Sequence, residues 1–260
     1  MGDVNYRPLI EDMTFSYSRI NSYESCPYGW RLNYIDQYRK ENKFYSSYGK
    51  LMHSILEQYY NGKITKPQLP VEFLTRFSTE VKGVRPSGKI VQSYLNKGLN
   101  YLRNADKFDL NTLAVEKKFN FEVEGIPMTG IVDYLGEKDG DIYLIDHKSH
   151  ELKPRSGRLK PTVKDKELDD YLRQLYLYSE AIRQEFGKYP AFLCFNCFKN
   201  GELIKEKFDQ QKFEETIQWV VETVEKIKND TDFDPNYDYF YCKWICDQSC
   251  NCEVYEDYSK

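Results

Sequence analysis

Apolar side chains recur every three or four residues from Ser47 to Tyr60: Leu51, Ile55 and Tyr59, with Met52 and Leu56 one position offset. That period predicts an amphipathic helix capped by Ser46 or Ser47, with His53 and Glu57 sharing a face at i and i+4. Shorter helical stretches precede it. Ser16 caps one that Cys26-Pro27 breaks, and Gly29 to Tyr38 forms a second. Pro67, Pro70 and Pro86 punctuate residues 61–90, and a further helix spans Ile90 to Arg103. Near Leu113 the period drops to two. Leu113 to Val123 is predicted as a strand, turned by Gly125 into the apolar run Met128 to Leu135. A second apolar run, Ile142 to Ile145, follows Asp139-Gly140. Glu167 to Phe186 returns to helical spacing through Leu168, Leu172, Leu175 and Ile182. Ala191 to Phe198 and Leu203 to Phe208 are strands around Asn200-Gly201, and Phe213 to Ile227 is a final helix. The order α, β, β, β, α, β, β, α predicts an α/β fold whose sheet mixes hairpins with one crossover.

The Asp139-Gly140 turn carries the first chemistry. An Asp-Gly pair between β-branched runs favours a type I′ turn, because both central positions take positive φ. Counting outward from Lys138 opposite Asp141 places Asp133 opposite Asp146. Lys148, two residues on, shares their face. Like charges directly opposite destabilise a hairpin. A divalent cation with oxygen ligands offsets that cost, and a lysine beside it can polarise a phosphate or a water. Gln174 and Tyr178, at i and i+4 on the long helix, take their interest from lying one element after this strand.

Composition narrows the class. The 260 residues are 40% hydrophobic, enough for a core, and no apolar run reaches the ~18 residues of a membrane span. The first dozen residues lack an apolar leader core, so a cytoplasmic protein with no membrane partner is expected. The net charge of −4 is not that of a bulk nucleic-acid binder. Yet residues 148–166 carry Lys148, Lys153, Arg155, Arg158, Lys160, Lys164 and Lys166 against Glu151 and Asp165. This basic strip begins at the candidate cation site and could hold a phosphate backbone. Of the seven cysteines, Cys242, Cys246, Cys250 and Cys252 crowd the C-terminal tail. In a reducing compartment that density points to metal ligation. A zinc knot within the tail and an iron–sulfur cluster recruiting Cys26 both fit. Cys194 and Cys197 fall on opposite faces of a strand and are expected in the core.

Ordered along the chain, these pieces resemble the PD-(D/E)XK nuclease superfamily, and within it the RecB-like nucleases that carry an iron–sulfur cluster. Those include the AddB nuclease domain and the CRISPR-associated adaptation exonucleases. Ser18-x7-Cys26-Pro27 resembles the opening helix, and Gly49-x3-His53-x3-Glu57 the histidine motif. Gly130-Ile-Val-Asp133 is similar to the metal-binding strand, Asp146-His147-Lys148 to the signature, and Gln174-x3-Tyr178 to the Q-x3-Y motif. Cys242, Cys246 and Cys252 resemble the C-terminal cluster cysteines, although the spacing here is C-x3-C where the family has C-x2-C, and Cys250 is extra.

The resemblance implies a restriction-endonuclease-like core, a central mixed β-sheet flanked by helices, in a single nuclease domain. Residues 1–110 would form its helical part, 111–210 the core, and 211–260 the last helix with a cysteine cluster joining the two ends. It implies Mn2+ or Mg2+ held by His53, Asp133, Asp146 and the His147 backbone carbonyl, with Lys148, Gln174 and Tyr178 completing the catalytic set. A histidine ligand modestly favours Mn2+. It further implies a [4Fe-4S] cluster on Cys26, Cys242, Cys246 and Cys252, with zinc as the alternative. The expected activity is hydrolysis of DNA, exonucleolytic on single strands or free ends, with Lys153, Arg155, Arg158 and Lys160 against the DNA. The chain has no Walker A loop, so unwinding falls to a helicase or recombination partner. Against this stand a non-catalytic DNA-binding accessory module with the same fold and a zinc-stabilised interaction protein.

Overall fold

The computed structural model of the chain describes residues 5–255. Its elements are α1 (Arg7–Ile10), α2 (Tyr17–Ser25), α3 (Pro27–Tyr34), α4 (Phe44–Tyr60), α5 (Leu69–Glu80), α6 (Gly88–Asn104), β1 (Asn111–Val123), β2 (Ile126–Lys138), β3 (Asp141–Lys148), α7 (Val163–Phe186), β4 (Phe192–Cys197), β5 (Glu202–Lys207), α8 (Gln210–Asn229) and α9 (Tyr239–Trp244), with two short 3-10 turns between them. The strands form one five-stranded sheet in sequence order. Neighbours are antiparallel except β3 and β4, which run parallel because α7 crosses between them.

The hairpins follow local turn chemistry. Asp139 and Gly140 have φ of 53° and 85°, and Glu124 and Gly125 have 47° and 80°. Both pairs supply the two positive φ values that a type I′ turn requires. Apolar clusters cover both sheet faces. One joins Leu168, Leu172 and Leu175 of α7 to Val220 and Val224 of α8. The other joins Leu51 and Ile55 of α4 to Phe73 of α5 and Tyr134 of β2. Cys197 packs in the first and Cys194 in the second, so the C-x-x-C letters mark two core side chains on opposite faces.

Four boundaries differ from the sequence expectation. Pro67 and Pro70 do not break structure; they open a 3-10 turn and α5, in whose first turn no amide hydrogen is needed. The cap of α4 is Lys43, not Ser46 or Ser47, and the Ser46 hydroxyl donates to the Lys43 carbonyl instead. The first cysteine-flanked helix begins at Pro27, because Cys26 ends α2 and its sulfur accepts the Gly29 N–H at 3.4 Å. The long helix starts four residues early, at Val163, where Thr162 and Asp165 form a reciprocal capping box.

Candidate active site

The β2–β3 ladder runs from Lys138↔Asp141 to Tyr134↔Ile145 and stops one step short of Asp133 and Asp146. There the Asp133 side chain takes over from the backbone, its Oδ2 accepting the His147 N–H at 2.7 Å. That bond fixes Asp133 against β3 and leaves the His147 carbonyl facing α4. His53, projecting from the middle of α4, places Nε2 at 3.1 Å from the His147 carbonyl oxygen. Its Nδ1 lies 3.4 Å from Asp133 Oδ1 and 3.2 Å from Glu116 Oε1. His53, Glu116 and Asp133 thus present donor atoms within 4.8 Å of one another, a set able to hold a metal ion.

Lys148 closes the other side. Its ammonium is 2.9 Å from Asp146 Oδ2 and donates to Gln174 Oε1 at 2.9 Å. Tyr171 and Phe195 flank it, with ring centroids 5.4 and 5.5 Å away. Asp146 Oδ2 is buried and has no aligned hydrogen-bond donor, although the Lys148 charge is close by. A buried carboxylate oxygen in that state suits a cation. Tyr178, one turn on from Gln174, lays its ring against the backbone of Gly130. A Cβ on Gly130 would lie 2.5 Å from Tyr178 Cε1, so the glycine three residues before Asp133 makes room for the tyrosine.

Charge in the site is divided unevenly. Burial opposes protonation of His53, but Asp133 and Glu116 outweigh it and lift its pKa to about 10. Burial also works against ionised Asp133, yet His53 and the His147 N–H hold it below the usual carboxylate range. Burial dominates at Asp146 and raises it in spite of Lys148, so Asp146 is the carboxyl that protonates first. The His147 ring is separate from this network. It lies among Tyr60, Phe108 and Phe198, accepts from Asn196 Nδ2 through Nδ1 at 3.0 Å, and burial lowers its pKa to about 3. Only the backbone of His147 faces the carboxylates.

Glu116 escaped the sequence reading. The available signal was one carboxylate inside the apolar run Leu113-Ala-Val-Glu116, which resembled an ordinary outward-facing strand position. The basic strip is dispersed. Arg155 bonds Asp169 at 2.8 Å and Glu206 at 2.9 Å, and Lys153 pairs with Glu151, so both charges are neutralised within the fold. Arg158 and Lys160 remain exposed. Beyond Lys148, Ser149 and His150 line an open groove of about 680 Å³ with Tyr45, Tyr94, Tyr171 and Lys199.

The cysteine-bearing segments meet near the start of α4. Cβ at Gly29 would lie 3.7 Å from the sulfurs of both Cys26 and Cys246. Burial raises the thiols of Cys242, Cys246 and Cys252. Cys250 is exposed and outside this group. The two segments are also laced by hydrogen bonds. Lys43 Nζ donates to Ser249 Oγ at 2.6 Å and to the Lys243 carbonyl at 3.1 Å, and Gln248 Nε2 donates to Asn33 Oδ1 at 2.7 Å. Among the described residues no helix is long and apolar enough to cross a membrane.

The model of the PD-(D/E)XK nuclease superfamily matches residues 14–253. The crystal structure of a "Putative exonuclease" from Eubacterium rectale is similar in fold, with a TM-score of 0.51 and 14% identity over 96% of this chain and 92% of that one. The crystal structure of SSO0001 aligns over 91% of this chain and 95% of its own at 13% identity, with a TM-score of only 0.32. No curated protein matches. With the family model covering nearly the whole chain, this protein belongs to the PD-(D/E)XK nuclease superfamily.

Proposed function

We propose that the protein is a Mn2+- or Mg2+-dependent deoxyribonuclease of the RecB-like type, acting as an exonuclease on single-stranded DNA or free ends. The observation that carries this is the approach of His53, Asp133 and the His147 carbonyl at one end of the β2–β3 hairpin, with Asp146 and Lys148 paired on the adjoining end of β3. The donor set fits a hard divalent ion: two carboxylates, a carbonyl and an imidazole, with a buried Asp146 oxygen lacking an aligned donor. His53, Asp133, Asp146 and the His147 carbonyl would hold the ion. When bound, it supplies a more acidic water and positive charge against the scissile phosphate. Lys148, steadied by Gln174 and wedged between Tyr171 and Phe195, presents its ammonium to the attacking water and to charge developing on phosphate oxygens. Gln174 and Tyr178 act as positioning residues, the first on Lys148 and the second against the Asp133 strand.

The preference for single strands is supported by the groove beyond Lys148. Tyr45, Tyr94 and Tyr171 offer stacking faces to unpaired bases, and Lys199 offers a phosphate contact. Arg158 and Lys160 lie on the exposed strip that would extend this path. Cys26, Cys242, Cys246 and Cys252 would carry a [4Fe-4S] cluster, or zinc, as a structural clasp. The three parts of the chain would then work as one domain, fed by a helicase or recombination partner. The test is cleavage of labelled single-stranded and duplex DNA with Mn2+, comparing wild type with Asp146→Ala. The variant should lose at least ~10²-fold in rate. Equal cleavage by both proteins would overturn the catalytic assignment of Asp146, and no cleavage by either would favour a non-catalytic DNA-binding module.

A further inference from the structure

Among the described residues, Glu116 is the strand-interior non-glycine residue with a left-handed backbone. Its φ is +47°, in the middle of β1, between the paired residues Val115↔Tyr134 and Lys117↔Val132. The other non-glycine residues with positive φ, Gln37, Glu124, Asp139 and Phe233, lie in turns and loops. A side chain other than glycine, asparagine or aspartate seldom adopts this conformation, least of all inside a ladder. Strain of this kind persists where the surrounding structure imposes it, and it clusters at functional sites. Here the consequence is specific. Glu116 stands opposite Asp133, and its Oε1 lies 3.2 Å from His53 Nδ1.

The two nitrogens of a histidine cannot both serve a metal ion and keep the ring fixed. A ligating histidine donates its other N–H to a carboxylate, which sets the tautomer and the orientation of the ring. His53 Nδ1 faces the carboxylates of Glu116 and Asp133, so that nitrogen carries hydrogen. Nε2 faces the His147 carbonyl oxygen at 3.1 Å, a separation that suits two neighbouring ligands of one ion. Asp133 cannot orient the ring alone, because its Oδ2 is committed to the His147 N–H and its Oδ1 is the more distant of the two acceptors at 3.4 Å.

We propose that Glu116 is a positioning residue of the cation site: its carboxylate takes the His53 Nδ1–H and aims Nε2 at the position beside the His147 carbonyl. The proposal rests on the reading of the centre as a divalent-cation site, and it adds a residue that the nuclease motifs do not contain. Glu116 acts through His53 rather than on the ion. Removing it therefore weakens cation binding only while His53 is present.

The experiment is a double-mutant cycle on Mn2+ affinity, with free Mn2+ followed by electron paramagnetic resonance in the absence of DNA. The proteins are wild type, Glu116→Ala, Glu116→Gln, His53→Ala and the Glu116→Ala/His53→Ala pair. Glu116→Ala should bind Mn2+ about 10- to 100-fold more weakly, the usual loss for a group supporting a ligating histidine. Glu116→Gln keeps an acceptor for the Nδ1–H at the same length, so it should recover much of that loss. In the His53→Ala background, Glu116→Ala should change the affinity less than about twofold. Full additivity would make Glu116 a direct ligand and overturn the proposal, as would unchanged affinity in Glu116→Ala. If the wild type binds no Mn2+, the cation site itself falls, an outcome distinct from both because it precedes any effect of Glu116. Metal-free melting of each variant separates folding from binding, and Glu116→Gln, closest in shape, keeps the question open to measurement if the alanine variant unfolds.

Discussion

His53 is held by opposing demands. In the metal-free protein its pKa stands near 10, because Asp133 and Glu116 overcome the burial that would otherwise keep it neutral. In the unfolded chain an imidazole titrates near ~6.5. The favourable interaction of the folded imidazolium is therefore complete below about pH 6.5 and is lost as the pH rises toward 10. Melting curves in chelator should show stability falling over that interval by on the order of 2 kcal/mol, allowing for partial solvent screening. His53→Asn should flatten the dependence, and a wild-type curve flat from pH 6 to 10 would contradict the charge arrangement described for His53. A bound cation requires the same ring to give up its proton, so cation affinity should weaken as the pH falls.

The hairpin and the long helix meet at one close contact. β2 can lie under α7 near Asp133 because position 130 has no side chain, and Tyr178 fills the space. Gly130→Ala would force its Cβ to 2.5 Å from the ring. The expected cost is ~1–3 kcal/mol in thermal or denaturant unfolding, with Tyr178 displaced from Gln174. A loss below a few tenths of a kcal/mol would mean that the ring moves aside freely. At this scale the sequence was informative wherever the signal was local. The Asp139-Gly140 turn, the register that runs from Lys138↔Asp141 toward Asp133 and Asp146, and the i and i+4 pair Gln174 and Tyr178 all follow from spacing of a few residues. The start of α5 was obscured because Pro67 and Pro70 resemble breakers until they are placed in a first turn. Glu116 was obscured because nothing in its neighbours announces a left-handed residue inside a strand.

Across the whole molecule, the two ends of the chain are tied together beside the start of the helix that carries His53. Lys43, the N-cap of α4, is 4% exposed and reaches Ser249 and Lys243, while the sulfurs of Cys26 and Cys246 both approach Gly29 of α3. Loss of the proposed cluster should therefore loosen α4 before it affects the sheet. Cys246→Ala should bleach the visible absorbance of an anaerobic preparation and lower Tm by at least about 5 °C, whereas Cys250→Ala should change neither. Equal effects of the two substitutions would contradict the assignment of Cys250 outside the cluster, and a colourless wild type would favour zinc. The sequence by itself determined the α/β order, the hairpin that carries both aspartates, and the ordered motifs, because each depends on turn chemistry or on side-chain period. Only the tertiary structure decided which distant groups meet. It brought Glu116 to His53, neutralised Arg155 against Asp169 and Glu206, and left Cys250 exposed while Cys242 is buried. Those outcomes depend on how helices pack across the sheet, and no local spacing in the chain encodes them.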